Sequence, residues 1–491
     1  MTQVGIVYNK NLSYPKYPFN PDKLYPEIKY KYDIQNDNQI YSELRNIFRK
    51  LGYDSANFDK KNWNPLGFLI NKGDKVLIKP NLVLNNSNYP FSIITHPSII
   101  RFLIDYAYIA TGSTGKIIVG DAPQMNANIE EIYKFTKLPN LIQFLQKRKI
   151  PVRLIDFRLE TIEIKGGVWA GRDKRKGTEG FTIVDLKSDS FLYELEKEEK
   201  DNFYGADYNR KIVNYHHNKY RNEYCITTSL LDSDVVISVP KLKTHKKAGV
   251  TLNLKNFIGI NSHKNYLPHY RIGSPTQKGD AFPNMNPFLN TLKSLKYIFR
   301  DWFLSRYDSR LGRFFHRIFN LRKYLEYIII HAFFPKFKTY YLFLDDGDWC
   351  GNDTIWRTVL DLNIILKYAN KKGELKDSEQ RRLFSVIDGI IAGDKDGPLE
   401  PSQKKANIIL VGKDLLAIDL VATKIMGFKY QEIPLLKNAL TMKKFPISEE
   451  NNLSKIIVVS NNSDLDNCKY DLIKKNLNFI PPTGWKLLRK N

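Results

Sequence analysis

A basic segment without acidic residues follows a strongly apolar segment near the middle of the chain. It reads PKLKTHKKAGVTLNLK over residues 240–255 and includes Lys241, Lys243, His245 and Lys255. Because histidine titrates near neutral pH, His245 is a candidate general acid or base. Lys255 lies among apolar residues, where lost hydration lowers the pKa of an amino group and favours a nucleophilic role. The ordinary alternatives are a solvated basic loop, a hydrogen-bonded histidine and a lysine whose head reaches water.

Polar residues also follow other apolar segments of the chain. Lys79 and Asn81 come after residues 75–78, Asp121 ends a segment that begins at 116, and Asp388 comes after residues 384–387. Since ligands of open α/β sheets bind beyond the carboxyl ends of strands, we expect these side chains to meet at one sheet edge. A lysine there can hold a phosphate or carboxylate as a point charge. The alternatives are a lysine that merely begins a loop and aspartates that form turns.

The predicted site therefore has a catalytic group and a binding group. The catalytic candidates are His245, Lys255, Lys243 and Asp121. The substrate-binding candidates are Lys79, Asn81, Lys241, Asn256, His269, Asp388, Asn352 and Arg357. Asn352 and Arg357 belong to a cluster with two tryptophans, which could stack on a sugar or base or could be core aromatics. His245, His263 and His269 are candidate metal ligands, although their spacing is not diagnostic of a metal site.

Short apolar segments alternate with amphipathic segments along most of the chain. The predicted strands are 4–8, 75–78, 116–119, 152–155, 234–239, 384–387, 406–411 and 455–459. The predicted helices include 40–51, 98–110, 128–137, 140–148 and 414–426. This alternation predicts an α/β fold with Rossmann-like parallel or mixed sheets and flanking helices.

Composition changes along the chain suggest a division into segments. We predict an N-terminal α/β lobe at 1–160, an excursion of hairpins and loops at 161–232, and a C-terminal strand with a basic tail at 451–491. A second α/β lobe, formed by 233–285 and 343–450, carries the candidate site. Residues 286–342 form a predicted helical insertion rich in aromatic and basic residues.

The overall composition restricts the possible classes of protein. The 491 residues include 76 Lys and Arg against 52 Asp and Glu, a net charge of +24, and 42% are hydrophobic. Such a chain can bury a core, so extensive disorder and a multi-span membrane protein are excluded. The three cysteines are far apart, so we expect neither a disulfide scaffold nor an iron–sulfur cluster. The N-terminal residues lack the pattern of a signal peptide, and we expect a cytoplasmic protein.

The positive charge is concentrated in two places. Residues 241–264 carry six basic residues and no acid, and residues 293–338 carry eleven basic and three acidic residues, a net +8. The first concentration predicts an anion site at the sheet edge. The second, with its aromatic residues, suits a helix on the anionic inner face of a membrane, or else an ordinary helical subdomain with a basic face. Nucleic acid is an improbable partner because no recognised binding motif is present.

Several of these segments together resemble the bacterial and archaeal domain-of-unknown-function family 362. The similar segments are VLIKPNLV (76–83), THP (95–97), VGDAP (119–123) and residues 233–260, 386–401 and 408–428. Residues 264–280 and 348–363 are similar to a subgroup found among polysaccharide-biosynthesis genes. Some relatives hold ferredoxin-type clusters, but this chain lacks the cysteines for them.

A second resemblance concerns His245, Ala248, Gly249 and Lys255, whose spacing is similar to that in nickel-pincer lactate racemases. The resemblance implies a shared fold, with His245 as an acid or base and Lys255 as an anchor for cofactor or substrate. The intervening residues 250–254 contain no glycine. The cofactor stays open: a metal or a nucleotide-derived cofactor are both compatible with these residues.

We therefore expect an enzyme that acts on an anionic small molecule or sugar precursor. His245 would move a proton and Lys255 would stabilise negative charge or hold the substrate covalently, as in isomerases, epimerases and lyases. Surface polysaccharide biosynthesis is a compatible setting. The alternative is a non-catalytic factor that binds or assembles at a membrane surface.

Overall fold

The structure is a computed structural model and describes residues 1–85, 88–165, 168–175, 179–197, 201–205, 210–304 and 344–489. Its strands, in chain order, are β1 (Thr2–Tyr8), β2 (Lys75–Pro80), β3 (Lys116–Asp121), β4 (Val152–Asp156), β5 (Glu160–Lys165), β6 (Val168–Lys174), β7 (Phe181–Asp185), β8 (Phe203–Gly205), β9 (His217–Asn218), β10 (Arg221–Thr227), β11 (Val235–Val239), β12 (Lys241–His245), β13 (Gly249–Val250), β14 (Pro268–Arg271), β15 (Arg382–Asp394), β16 (Ser402–Gly412), β17 (Ile456–Ser460) and β18 (Cys468–Lys469). Its α-helices are α1 (Gln39–Lys50), α2 (Pro97–Thr111), α3 (Ile129–Thr136), α4 (Leu138–Gln146), α5 (Tyr193–Glu196), α6 (Arg210–His216), α7 (Thr228–Leu231), α8 (Leu252–Asn256), α9 (Pro287–Leu304), α10 (Ile355–Tyr368), α11 (Leu415–Met426) and α12 (Pro434–Ala439).

A mixed sheet of eleven strands runs through the centre of the protein. Nine of them lie in the order β18-β17-β1-β16-β15-β11-β2-β3-β4, and β12 and β13 branch from β15. The pairs joining β15, β11, β2, β3 and β4 are parallel, whereas β16 is antiparallel to both of its neighbours. The parallel strands end together at one edge, and the candidate site lies there.

Helices cover both faces of this sheet, which explains why its inner strands are continuously apolar. In β11, Val235 and Ile237 face the same core as α1 and α2, while Val236 faces the core formed with α10 and α11. A strand with only one covered face would alternate apolar and polar residues instead. The predicted α/β fold with mixed sheets and flanking helices is therefore confirmed.

The structure departs from the sequence reading around the basic segment 240–255. This segment forms two short strands, a tight turn and the helix α8; Lys241, Lys243 and Lys255 are buried, and Lys246 and Lys247 are partly buried. The alternative reading of a solvated loop is wrong. β15 is also longer than predicted, so Asp388 lies within a strand, beside an irregularity in its pairing with β16. The division into lobes stays a prediction, and the central sheet pairs strands from both segments named as lobes.

The predicted helical insertion at 286–342 begins with α9. The apolar side chains of Phe288, Leu292, Leu295 and Ile298 on this helix are all more than half exposed. Residues 305–342, and with them most of the basic segment 293–338, lie outside the described residues. No helix within the described ranges has the length and apolarity to cross a membrane.

Candidate functional site

A cavity of about 640 Å³ opens at the carboxyl edge of the parallel strands. The segments after β2 and β3, the β12–β13 turn, helix α8 and strand β14 all contribute to its wall. Seven of the predicted site residues line it: Asn81, Asp121, Lys243, His245, Lys255, Asn256 and His269. Lys79 is not part of the wall, but it donates to Asn256, which is. As expected for an open α/β sheet, these side chains lie together beyond the carboxyl ends of the parallel strands.

A buried ion pair lies beneath the cavity. Lys79 Nζ is 2.6 Å from Asp121 Oδ1, and neither side chain is more than 5% exposed. Lys79 also donates to Asn256 Oδ1 at 3.1 Å, and Asn81 donates to the same oxygen at 2.6 Å. Burial lowers the pKa of Lys79, and the nearby Asp121 carboxylate opposes this shift. Asp121 is therefore occupied by Lys79 and by the backbone N–H of Leu82, which supports a structural role for it.

Gly259 makes this packing possible. A Cβ atom at this position would overlap Asp121 Oδ1 and would lie 2.7 Å from Lys79 Nζ and 2.9 Å from Lys79 Cε. Any side chain at position 259 would push Lys79 and Asp121 apart, so the close packing of the backbone against this ion pair requires glycine.

A second buried ion pair joins β12 to β15. Lys241 Nζ lies 3.0 Å from Asp388 Oδ2, and both side chains are fully buried. Tyr14, from the N-terminal segment, donates to Asp388 Oδ1 at 2.5 Å and accepts from Lys241 at 2.8 Å. The backbone N–H of His96 donates to the same carboxylate at 2.9 Å. Neither Lys241 nor Asp388 lines the cavity, so this pair holds β12 against β15 without facing the cavity.

Three lysines of the cavity wall donate to protein acceptors. Lys243 Nζ donates to the Ile93 carbonyl at 3.0 Å, and Lys264 Nζ donates to the Ala122 carbonyl at 2.8 Å. Lys247 Nζ donates to the Asp346 carbonyl and to Asp348 Oδ1. These bonds fix the three amino groups around the cavity.

Lys255 differs from these three lysines. Its side chain lines the cavity and the residue is 8% exposed, yet within the described ranges its amino group has no hydrogen-bond or ion-pair partner. Asp419 on α11 accepts from the backbone N–H groups of Asn253 and Leu254 at 2.8 and 2.9 Å, which anchors the start of α8. The helix therefore holds Lys255 in place through its backbone and leaves the amino group uncommitted.

The electrostatic environment makes Lys255 an unusual amine. Burial lowers its pKa from 10.5 to about 7, and the positive charges of Lys264 and Lys247 add to the shift. Burial likewise lowers the pKa of Lys264 to about 8, although Asp121 opposes that shift. The pKa of Lys243 falls well below its ordinary value because of burial and the neighbouring Lys241 and Lys255. An anion in the cavity would relieve this repulsion.

Carboxylates also line the cavity, but most already accept from protein donors. Asp121 pairs with Lys79, and Asp348 pairs with Lys247. Asp346 accepts from Tyr270, and Asp396 accepts from Thr483. Hydrogen-bond donors therefore most outnumber the available carboxylate acceptors in the part of the cavity around Lys255 and Lys264.

The two cavity histidines present opposite tautomers. His245 Nδ1 accepts from the backbone N–H groups of Lys247 and Ala248 at 3.1 and 3.3 Å, so a neutral His245 carries its proton on Nε2. His269 Nδ1 lies 2.7 Å from the Leu267 carbonyl and must donate to it, so its Nε2 carries the lone pair. Burial and Lys255 hold the pKa of His269 at about 3 and that of His245 well below 6.5. His245 is therefore a donor and His269 an acceptor.

Besides Lys79, Lys241 and Asp388, three further predicted residues lie outside the cavity. His263 does not line the cavity and lies 3.5 Å from Glu160, and the described residues contain no group of three His, Cys, Asp or Glu side chains that could hold a metal ion. Asn352 is not at the cavity: it donates to the His269 and Gly347 carbonyls and accepts at the start of α10. Arg357 pairs with Asp353 and stacks on Trp356, also outside the cavity. Both residues support the fold around the site, because protein groups near and far in sequence satisfy their polar atoms.

Other residues of the site were not predicted. Lys247 and Lys264 lie within the basic segment 241–264, so the charge count indicated them without showing which lysines face the cavity. Trp485, in the C-terminal segment, donates to the Lys246 carbonyl, and its ring packs where a Cβ on Gly249 would be. No local signal in the sequence links Trp485 to that turn, since 239 residues separate it from Lys246.

The comparisons with known proteins match part of the chain. Residues 186–424 match the model of the family described as Domain of unknown function (DUF362), which confirms the resemblance over those residues. The chain is also similar to the thylakoid-associated protein sll1697 of Synechocystis sp., with 25% identity over 194 residues. That match covers 40% of this chain and 41% of the relative, so the chain spans about two fifths of the relative's length. No solved structure matches the chain.

Proposed function

We propose that this chain is an enzyme that binds an anionic small molecule in the cavity and moves a proton next to a carbonyl group of that molecule. The observation that carries the proposal is the position of Lys255. A buried amino group that faces a cavity, with no partner in the described part of the chain, is costly to the fold unless it serves a ligand. The neighbouring lysines favour a carboxylate or phosphate as the ligand's charged group.

Each polar group of the cavity has a chemical role in this proposal. Lys264 and Lys243 hold the anion. His245 Nε2–H donates to the carbonyl oxygen, where negative charge develops when the adjacent C–H loses its proton. Lys255 and the lone pair of His269 Nε2 are the groups able to accept that proton. The reaction class is an isomerisation, epimerisation or elimination.

The finer identity of the substrate rests on sequence resemblance alone. The similarity of residues 264–280 and 348–363 to proteins of polysaccharide-biosynthesis loci favours a sugar precursor, such as a uronic acid or a phosphorylated sugar. A cytoplasmic enzyme of surface polysaccharide synthesis would meet such substrates. The racemase-like spacing of His245 and Lys255 supports proton transfer at a carbon atom, and each step proposed above uses side chains of this chain.

Anion binding is tested first. Titration of the purified protein with inorganic phosphate and with citrate, followed by calorimetry, should show saturable binding. Lys264→Met should weaken it by roughly 10–100-fold, because one charge-assisted hydrogen bond contributes about 1.5–3 kcal/mol. Lys372→Met removes the same charge from an exposed turn and should leave the affinity unchanged. Equal weakening by both variants would mean that only net charge matters.

Proton transfer is tested by exchange with D₂O. The protein is incubated with 2-oxoglutarate, glucuronate or fructose 6-phosphate, and proton NMR follows replacement of the C–H next to the carbonyl by deuterium. Exchange should require Lys255 and should persist in Lys372→Met. If the anions bind in calorimetry but no probe exchanges, the cavity is a binding site for these compounds and the catalytic part of the proposal fails.

A second candidate function is favoured by the exposed apolar face of α9. Phe288, Leu292, Leu295 and Ile298 recur at helical spacing on one side of the helix, and the sequence that follows is strongly basic. Such a face suits an anionic lipid surface, and the relative in Synechocystis is named as thylakoid-associated. The alternative function is therefore that of a factor that binds or assembles at a membrane face.

Vesicle flotation tests this alternative. The full chain should float with vesicles of phosphatidylglycerol and phosphatidylcholine, and the double variant Leu292→Glu, Ile298→Glu should remain at the bottom of the gradient. Vesicles of phosphatidylcholine alone control for charge. Equal flotation of the variant and the unmodified chain would remove α9 from the interaction.

A further inference from the structure

We infer that Lys255 forms an imine with an aldehyde or ketone group of the anionic ligand. This inference rests on the proposed function, because it uses the same cavity and the same anion. It names the substrate class more closely: a small molecule that carries a free carbonyl group close to a carboxylate or phosphate.

Five lysines line the cavity, and Lys246 is only partly buried, so water can solvate its amino group. The comparison among the other four carries the inference. Lys243, Lys247 and Lys264 each place the amino group against a carbonyl oxygen or a carboxylate of the protein. Over the residues that the structure covers, the amino group of Lys255 has no such acceptor and faces the cavity. A hydrogen-bonded ammonium group is fixed and charged, whereas an uncommitted amine can turn its lone pair towards a ligand.

The protonation state of Lys255 supports the reaction. Its pKa of about 7 leaves roughly half of the amino groups neutral at pH 7, whereas an exposed lysine has about one in 2,500. Lys264, with a pKa of about 8, has roughly a tenth of its amino groups neutral at pH 7. Lys255 is thus the better nucleophile of these two buried lysines.

The remaining groups of the cavity meet the needs of imine formation. The lone pair of the neutral amine attacks the carbonyl carbon, and the C=O electron pair moves to the oxygen. One N–H proton passes to that oxygen to give the carbinolamine, and the second N–H proton leaves with the hydroxyl group as water. In this mechanism His245 Nε2–H donates to the departing oxygen and His269 Nε2 accepts from the nitrogen, since both residues line the cavity with these tautomers. No oxidant or reductant is needed.

An imine also explains why proton transfer would follow. A protonated imine withdraws electrons from the neighbouring carbon, so its C–H is far more acidic than that of the parent carbonyl compound. The carbanion is stored as a neutral enamine, which avoids a second negative charge in the cavity. The anion held by Lys264 and Lys243 fixes the carbonyl near Lys255 and raises its effective concentration.

Reductive trapping tests the inference. The full chain is mixed at pH 7 with glyoxylate, which combines an aldehyde with a carboxylate, and with sodium cyanoborohydride, which reduces the imine to a stable carboxymethyl amine. Intact mass reports the stoichiometry, and peptide mapping locates the modified lysine. We expect one group per chain, at Lys255, formed at least about fivefold faster than at Lys264 from the neutral fractions alone.

Two comparisons complete the experiment. Lys255→Met should lose the fast labelling, while Lys372→Met should keep it. Acetaldehyde, which has no anionic group, should label Lys255 at least about tenfold more slowly, because it lacks a charge-assisted contact with the lysines. Excess phosphate should protect Lys255 from glyoxylate.

The outcomes separate the two proposals. Fast labelling confined to Lys255 supports the imine. Labelling spread over exposed lysines, or equal at Lys255 and Lys264, overturns it. If phosphate binds in calorimetry but Lys255 is not labelled, the imine is refuted and the anion-binding function stands. If phosphate neither binds nor protects, the proposed function itself has failed.

Discussion

Replacing Lys255 by methionine should stabilise the folded protein at neutral pH, and this gain should disappear in alkaline solution. The pKa of Lys255 is about 7 in the folded chain and 10.5 in the reference state. Between these values the unfolded chain binds more protons than the folded chain, so stability rises with pH over this window. Methionine keeps the apolar stem and removes the proton equilibrium.

The expected size of this stability gain follows from the two pKa values. At pH 7 the shift costs the folded state about 4 kcal/mol, and at pH 10 the cost falls below about 1 kcal/mol. The stability gained by Lys255→Met should therefore decrease by about 3 kcal/mol between pH 7 and pH 10. Lys255 is 8% exposed, so solvent screening takes little from this difference.

Urea denaturation at pH 7 and pH 10 measures the effect. Lys372→Met serves as the control, and its effect should stay within about 0.5 kcal/mol at both pH values because the side chain is exposed. Loss of stability on Lys255→Met at pH 7 would show that the amino group has a stabilising partner. A gain of equal size at both pH values would show that Lys255 does not titrate between them, and would refute the lowered pKa of its amino group.

Three further substitutions test the support of the site. Gly259→Ala should destabilise the fold by about 3–5 kcal/mol in urea denaturation, because the new methyl group separates the buried ion pair of Asp121; unchanged stability would contradict that geometry. Asp388→Asn should cost a similar 3–5 kcal/mol, since it leaves Lys241 buried without its counter-charge, and a neutral result would mean that Lys241 is uncharged. Trp485→Ala should cost about 3–5 kcal/mol and also weaken phosphate binding, which calorimetry would detect; loss of stability with unchanged binding would show that the C-terminal segment does not shape the cavity.

Much of the site could be anticipated because its residues end strands. Asn81 and Asp121 follow β2 and β3, and parallel strands end at a common edge, so local apolar segments were enough to place them together. The lowered pKa of Lys255 could also be anticipated, because its apolar neighbours in sequence indicated burial. In these cases the signal lies within a few residues of the side chain concerned.

Other features depended on contacts between distant parts of the chain. Tyr14 donates a hydrogen bond to Asp388, 374 positions away, and no sequence pattern near Asp388 indicates that partner. The same holds for the tautomers of His245 and His269, which are set by particular backbone groups around each ring. Arg357 was expected at the site, but it donates to the Phe191 carbonyl, 166 positions away, as well as pairing with Asp353.

The sequence by itself determined the class of fold, the edge of the sheet where the polar residues gather, and the concentration of positive charge there. These follow from hydrophobic periodicity and composition, which act over short distances along the chain. Only the tertiary structure decided which lysines lie against carboxylates, and that Lys255 is buried at the cavity without a partner among the described residues. Lys79 and Lys241 each lie against a carboxylate, whereas Lys255 faces the cavity, and such pairings depend on side chains that folding brings together from distant positions.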